Sequence, residues 1–150
     1  MTYQIIYSSE SATPMQTDDL EEILQHARGS NAAKGITGAL IYVDGIFLQV
    51  LEGETGTVQE LMARISKDLR HETVTVLKQG EVSCASFSDW KMAYVGATSA
   101  QVAKWAGLTG TTALPEILTD MRQDPERASQ LAQGILSVLR SEPNVRTKTG

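Results

Sequence analysis

The chain has 150 residues, of which 41% are hydrophobic and 21% charged, and its formal net charge is −5. These values predict one globular domain with a sizeable core. The acidic balance argues against nucleic acid as a partner, since phosphate binding requires a basic surface. No apolar run approaches the roughly 18 residues of a membrane-spanning helix, so we expect no membrane partner.

The cysteine and histidine content points to a reducing compartment and to no metal site. The single Cys84 cannot form an internal disulfide, and the N-terminus lacks the basic region and the long apolar run of a signal peptide. One cysteine and two histidines are too few for a structural zinc site. We therefore expect a cytoplasmic protein without a bound metal.

The first elements of the chain are a strand and an amphipathic helix. Residues 3–8 are rich in strand formers, and Ile5 and Tyr7 share one face. A helix is predicted over about residues 18–28, with Gly29 at the position of a terminating C-cap glycine. Its apolar stripe has helical spacing and consists of Leu20, Ile23, Leu24 and Ala27.

Two apolar runs around Asp44-Gly45 predict a β-hairpin with a type I′ turn, because this dipeptide accepts the left-handed backbone that the turn requires. The turn sets a register in which Leu40 faces Gln49. Side chains alternate along a strand, so both faces of the hairpin are apolar and both need a cover. Gln49 is the polar exception. A buried amide without partners costs about 1–3 kcal/mol, so we expect Gln49 to have partners.

The next stretch completes an α+β pattern. A second helix is predicted over about residues 58–69, preceded by a capping box that starts at Thr57. Strands are predicted over residues 73–77 and 90–95, separated by an irregular segment. The resulting order, β-α-β-β-α-β-β, indicates a ferredoxin-like sheet with two helices on one face.

Beyond the last strand the composition favours helices. They are predicted over about residues 99–107 and 114–121, and from Asp124 to Pro143. We expect this extension to cover the second face of the hairpin. The predicted division is residues 1–96 for the α/β domain, 97–143 for the helical extension and 144–150 for a disordered tail.

Several side chains should converge between the two helices of the α/β domain. In a ferredoxin-like sheet the first and third strands are neighbours, so Tyr7 and Gln49 can meet on the floor of a pocket. Such a slot suits a flat heteroaromatic ligand. Taken singly, Tyr7 and Gln49 are also compatible with purely structural roles, and Asn31 alone would be a loop residue that follows the helix. Trp90 and Met92, which are predicted to share a face of the last strand, would alone be core residues. The expected surroundings of the floor are Ile23 and Ile65 as walls, and Asn31 and Arg64 as polar arms.

Five stretches of the chain, spread over residues 3 to about 95, form a recognisable set in their order and spacing. They are Ile6-Tyr7-Ser8-Ser9, Asn31 with Gly35-Ile36-Thr37-Gly38, Phe47-Leu48-Gln49-Val50-Leu51-Glu52-Gly53, Arg64-Ile65 with residues 68–71, and Trp90-Lys91-Met92. In these stretches the chain resembles the BLUF domains, which are blue-light sensors that use FAD. The remainder is similar to the helical tail of the short stand-alone BLUF proteins, so we expect no catalytic domain to follow.

The resemblance implies that FAD binds non-covalently, with its isoalloxazine ring between the two helices. It implies that Gln49 contacts flavin N5 and O4 as well as the hydroxyl of Tyr7. It also implies that Asn31 and Arg64 bind the pyrimidine edge of the ring. Ser30 stands where many members carry Asn or His. The residues expected to pack around the ring are Ile23, Phe47 and Ile65.

The resemblance further implies a photochemical switch rather than an enzyme. Blue light would draw an electron and a proton from Tyr7. Gln49, whose amide both donates and accepts hydrogen bonds, would then rearrange its contacts. Trp90 and Met92 would relay the change to the C-terminal helices, and from there to an unidentified downstream protein or to a homo-oligomer.

Two other functions stay open on the residues alone. A small acylphosphatase-like enzyme would share the fold, but it needs an Arg and an Asn at a phosphate loop. Here Arg64 lies in the middle of a predicted helix, and no glycine-rich loop precedes the first helix. A light-independent ligand-sensing module would explain the fold but not the pairing of Tyr7 with Gln49.

Overall fold

The computed structural model describes residues 2–11, 16–67, 71–83, 85–108 and 113–141. The predicted disordered tail, residues 144–150, lies outside the described residues. Among the helices described in those ranges, none is long and apolar enough to cross a membrane. The strands are β1 (Thr2–Ser11), β2 (Thr37–Val43), β3 (Ile46–Gly53), β4 (His71–Val82) and β5 (Ala93–Tyr94). The helices are α1 (Thr17–Lys34), α2 (Thr55–Lys67), α3 (Ser99–Trp105), α4 (Leu114–Gln123) and α5 (Pro125–Ser141).

The strands form one mixed sheet in the order β4-β1-β3-β2-β5. The pairs β1–β3, β1–β4 and β2–β3 are antiparallel, whereas β5 pairs with β2 in parallel. The first four strands therefore have the ferredoxin-like order, and β5 extends the sheet at its β2 edge. This confirms the predicted fold class.

The hairpin between β2 and β3 has the predicted turn and register. Asp44 and Gly45 have φ of 50° and 80°, as both central residues of a type I′ turn require. Leu40 lies opposite Gln49. On the other side of β3, Gln49 lies opposite Tyr7 of β1. The turn and the central position of β3 thus bring Tyr7 and Gln49 together.

Each face of the sheet carries its own apolar core, because side chains alternate along the strands. The core on the α1–α2 face includes Ile5, Tyr7, Leu24, Leu40, Phe47, Leu51, Val58, Met62 and Met92. The core on the other face joins the sheet to the C-terminal helices and includes Ile6, Ile41, Leu48, Val50, Phe87, Val102, Ile117, Met121, Leu131 and Ile135. The second face of the hairpin is therefore covered by α3, α4 and α5.

The prediction that α1 ends at Gly29 is wrong, since the helix continues to Lys34. Gly35 supplies the left-handed C-cap with φ of 69°, and its N–H donates to the carbonyl of Asn31. A glycine inside a helix costs only about 1 kcal/mol relative to alanine, which is too little to end a helix that packs well. Ser30 and Asn31 consequently belong to α1 and not to a loop.

Other element boundaries also differ from the predicted ones. α2 begins at Thr55, so Thr57 lies inside its first turn instead of capping it. β4 continues to Val82 through a polar stretch, where it still pairs with β1, since Thr2 lies opposite Val82. β5 is only two residues long, and Trp90 and Met92 precede it. Strand alternation therefore does not apply to Trp90 and Met92.

Gly38 allows β2 to approach its neighbours closely. A Cβ atom added at Gly38 would lie 1.9 Å from the carbonyl oxygen of Val50, which is far inside van der Waals contact. The Gly38 N–H donates to the carbonyl of Trp90 at 3.1 Å. The segment that leads into β5 is thus held against the sheet where no side chain fits.

We expect Gly38→Ala to lower the free energy of unfolding by about 2–4 kcal/mol, since backbone atoms must move to admit the methyl group. Gly29→Ala is the matched control, because no atom lies within 4 Å of its added Cβ. That control should gain about 0.5–1 kcal/mol, as alanine favours a helix over glycine. Urea unfolding followed by circular dichroism measures both. Equal stability of Gly38→Ala and the parent protein would contradict the proposed close approach.

Candidate functional site

A cavity lies between α1 and α2 above the central strands of the sheet. The apolar side chains come from both helices and from β2 and β3, while a few polar groups point into the same space. This combination of apolar walls and a few aimed polar groups is typical of small-molecule sites. The lining residues are Tyr7, Ile23, His26, Ala27, Ser30, Asn31, Leu40, Phe47, Gln49, Leu51, Leu61, Arg64, Ile65 and Met92.

The floor of this cavity is a short chain of hydrogen bonds across three segments. The hydroxyl of Tyr7 donates to Oε1 of Gln49. The Nε2 of Gln49 donates in turn to the sulfur of Met92 at 3.3 Å. Tyr7 and Met92 are fully buried and Gln49 is 8% exposed. Gln49 therefore has the partners that a buried amide requires, one on each end of its side chain.

Two side chains of α1 hold the backbone around Met92. Nδ2 of Asn31 donates to the carbonyl of Lys91 at 3.3 Å, and Nε of Arg28 donates to the carbonyl of Met92 at 3.0 Å. Burial lowers the pKa of Arg28 from its ordinary value, and the nearby carboxylate of Glu21 opposes that shift. The guanidinium keeps its charge at neutral pH, so it gives Met92 a charged hydrogen-bond donor.

Arg64, the polar residue that α2 contributes to the cavity, lies nearer to solvent than the residues of the cavity floor. The side chain of Arg64 is 54% exposed and forms an ion pair with Glu60 at 3.1 Å, one helical turn earlier. Such exposed pairs contribute little to stability, so Arg64 can exchange Glu60 for another partner. Ile65 follows Arg64 on α2, and Ile23 faces the cavity from α1. Both isoleucines are partly buried in the core on this face.

Trp90 does not share a face with Met92, contrary to the prediction. Trp90 packs against the core that joins the sheet to the C-terminal helices, with its ring 6.4 Å from that of Phe87. Met92 packs against the core on the α1–α2 face. The two side chains diverge because residues 85–92 do not form a regular strand. The remaining predicted site residues all line the cavity.

Some residues around the cavity were absent from the predicted site. His26 and Ser30 lie one helical turn apart on the face of α1 that carries Ile23 and Ala27. The helical spacing from Ile23 could have indicated His26, which lies within the predicted helix. Ser30 lies beyond Gly29, where the helix was predicted to end. Arg28 carries no comparable pattern, because its partner is a backbone carbonyl distant in sequence.

The donor set of the cavity fits a flavin. The flavin ring is a flat, largely apolar slab with carbonyl and nitrogen acceptors along one edge, and it needs apolar walls with N–H donors at their rim. The walls here are aliphatic, and the amides of Asn31 and Gln49 and the guanidinium of Arg64 can supply the donors. The chemistry of these residues is therefore compatible with FAD.

Comparison with known proteins also points to an FAD-binding domain. The family model described as "BLUF: Sensors of blue-light using FAD" matches residues 2–93. The chain is 36% identical over 89 residues to photoactivated adenylate cyclase subunit beta of Euglena gracilis. The aligned stretch covers 59% of this chain and 10% of that protein. It is 41% identical over 73 residues to the alpha subunit, and this aligned stretch covers 49% of this chain and 7% of that protein. The chain thus spans a tenth or less of the length of these relatives.

Solved structures with the same fold include two named BLUF proteins. BlrB in its dark state superposes with a TM-score of 0.72 at 25% identity, covering 91% of this chain and 96% of BlrB. BlsA in its photo-activated state gives a TM-score of 0.70 at 26% identity, covering 91% of this chain and 95% of BlsA. With the family match over more than half of its residues, the chain belongs to the BLUF family, whose members sense blue light using FAD.

Proposed function

We propose that the cavity between α1 and α2 holds the flavin ring of FAD, and that Tyr7, Gln49 and Met92 form the light-responsive switch. The observation that supports this most directly is the continuous hydrogen bonding from the Tyr7 hydroxyl through the Gln49 amide to the Met92 sulfur. These groups are buried at the floor of the cavity, and a low local dielectric strengthens hydrogen bonds between them.

The proposed binding roles follow from where the side chains lie. Ile23 of α1 and Ile65 of α2 would enclose the two sides of the ring, and Phe47 of β3 would fill the space beneath it. Asn31 is 2% exposed and already donates to a backbone carbonyl, so its amide is held in place before a ligand binds. Arg64 would leave Glu60 and reach the polar edge of the ring.

The proposed switching step is a proton movement between Tyr7 and Gln49. When bound, FAD supplies absorption of blue light and an excited state able to accept an electron. A tyrosine that loses an electron becomes a strong acid at its hydroxyl. The Tyr7 hydroxyl already donates to Oε1 of Gln49, so the proton has an acceptor in place. Transfer to this oxygen changes the donor and acceptor pattern of the amide.

The Met92 sulfur can accept a hydrogen bond from Gln49 in only one of the two orientations of the Gln49 amide. In the present arrangement Nε2 donates to the Met92 sulfur. If the amide rotates, Oε1 faces this sulfur instead, and neither atom has a hydrogen to donate. Rotation therefore removes the Met92 contact while Nε2 gains the oxygen of Tyr7. The orientation of this one amide would thus decide whether Met92 keeps its hydrogen bond with Gln49.

We propose that the output passes from Met92 to the C-terminal helices. Residues 85–92 carry Met92 on the cavity side of the sheet and Phe87 and Trp90 on the helical side. In this role Trp90 acts at the helical end of the relay and not beside Gln49. Residues 1–96 would be the sensing part and residues 97–143 the output part, which would act on a downstream protein or on a second copy of this chain, without catalysis of its own.

We expect Tyr7→Phe to abolish the light response while FAD stays bound, because the phenol proton is lost and the ring is kept. The measurement is a light-minus-dark absorption spectrum of purified, FAD-loaded protein, in which the parent should show a red shift of a few nanometres with recovery in darkness. Tyr42→Phe is the control, since its hydroxyl is paired with Ser11 away from the cavity. A normal shift in Tyr7→Phe would contradict the proposed role.

We expect Gln49→Leu to abolish the red shift as well, since leucine fills a similar volume but cannot exchange hydrogen bonds with Tyr7. Gln79→Leu is the control, because Gln79 is an exposed amide on the edge strand β4. Bound flavin is checked from its absorption in the dark. If the parent protein binds another metabolite and shows no photoresponse, the light-independent sensing module is favoured instead.

A further inference from the structure

A fully buried carboxylate lies on the opposite face of the sheet from the cavity. Glu52 follows Gln49 by three residues on β3 and is 0% exposed. Its Oε1 accepts from the N–H of Phe87 at 2.7 Å, and its Oε2 accepts from the N–H of Ser86 at 3.0 Å. Oε2 also accepts from Nε2 of Gln4 at 2.9 Å. Three N–H donors thus offset the cost of burying this group.

Two of these donors belong to the segment that carries Met92. Residues 85–92 begin at the carboxylate of Glu52 and end at β5, next to β2. Between these points Phe87 is fully buried among residues that also contact the C-terminal helices. The carbonyl of Trp90 accepts from the N–H of Gly38. One short segment therefore touches the carboxylate, the helical core and the cavity floor in turn.

The two ends of the segment are held by groups of opposite chemistry. At its start, the N–H groups of Ser86 and Phe87 point at the acceptor Glu52. At its end, the carbonyls of Lys91 and Met92 accept from Asn31 and Arg28 of α1. These side chains come from β3 and α1, so the segment is fixed to two of the elements that also build the cavity.

We propose that Glu52 is a positioning residue for the switch. Its carboxylate fixes the start of residues 85–92. Met92 therefore keeps its hydrogen bond with the Gln49 amide, and Phe87 and Trp90 remain packed in the core shared with the C-terminal helices. When Gln49 releases Met92, the segment moves about the point where Glu52 holds Ser86 and Phe87, and the displacement reaches Trp90, which packs against the core of the C-terminal helices. This inference rests on the proposed function of Gln49 and Met92.

Only an acceptor with two oxygens satisfies this arrangement. A carboxylate accepts at both ends, whereas an amide accepts at one end and donates at the other. In Glu52→Gln the oxygen can still accept from the N–H of Phe87. The new NH₂ group then faces the N–H of Ser86, and two donors cannot bond to each other. The substitution therefore keeps the volume and removes the hold on Ser86.

The experiment compares Glu52→Gln with Gln4→Met in FAD-loaded protein, each in a Trp105→Phe background so that Trp90 is the only tryptophan. Gln4→Met removes one donor to Glu52 but leaves the hydrogen bonds of Glu52 with the N–H groups of Ser86 and Phe87. We expect both variants to keep the red shift of the flavin. In Glu52→Gln, exchange of the Ser86 amide should accelerate about tenfold or more, as expected for a lost hydrogen bond. The dark-recovery rate and the light-induced change in Trp90 fluorescence should also differ from those of the Trp105→Phe protein.

A normal recovery rate and a normal Trp90 response in Glu52→Gln, with the red shift intact, would overturn the inference. So would equal effects of Glu52→Gln and Gln4→Met. If Glu52→Gln does not fold, amide exchange of the parent protein in light and darkness replaces it. The Trp90 N–H donates to the carbonyl of Phe87, beyond the point held by Glu52. Exchange of the Trp90 amide should be faster in light while exchange of the Phe87 amide stays unchanged, and identical Trp90 rates in light and darkness would refute the proposal. Failure of the proposed function itself is distinguishable, because the parent would then show no red shift.

Discussion

The arrangement of this domain depends on one constraint, which is that the buried amide of Gln49 must keep hydrogen-bond partners on both of its ends. Tyr7 supplies the partner on one side, and it is positioned by the antiparallel register between β1 and β3. Met92 supplies the other, on a segment that is not a regular strand. The first partner is therefore held rigidly by the sheet, while the second depends on how residues 85–92 are held.

This difference gives a physical reason why, in the proposed mechanism, a change on one face of the sheet would reach the other. The cavity side and the helical side have separate cores, and a continuous β-sheet lies between them. Residues 85–92 contribute to both cores, with Met92 in one and Phe87 in the other. A sheet resists bending, whereas a short segment fixed at a few points can shift as a unit. The contacts of Glu52, Arg28 and Asn31 define those points.

The predictions from the sequence succeeded where local chemistry decides the conformation. Asp44-Gly45 accepts the left-handed backbone of a type I′ turn, and the turn sets every cross-strand pair of the hairpin. They failed where a weak local preference met strong packing. Gly29 is a plausible helix end, but its cost is small, and the true cap at Gly35 carries Ser30 and Asn31 into the helix.

The sequence by itself determined the order of the elements, the hairpin register and the residue types of the cavity, because turn chemistry and side-chain alternation act over a few residues. It also determined the family, since the matching stretches keep their order and spacing. Only the tertiary structure decided that Trp90 and Met92 point to different cores and that Glu52 holds the segment between them. Those contacts join backbone groups to side chains more than thirty residues away, and no local pattern encodes such a distance.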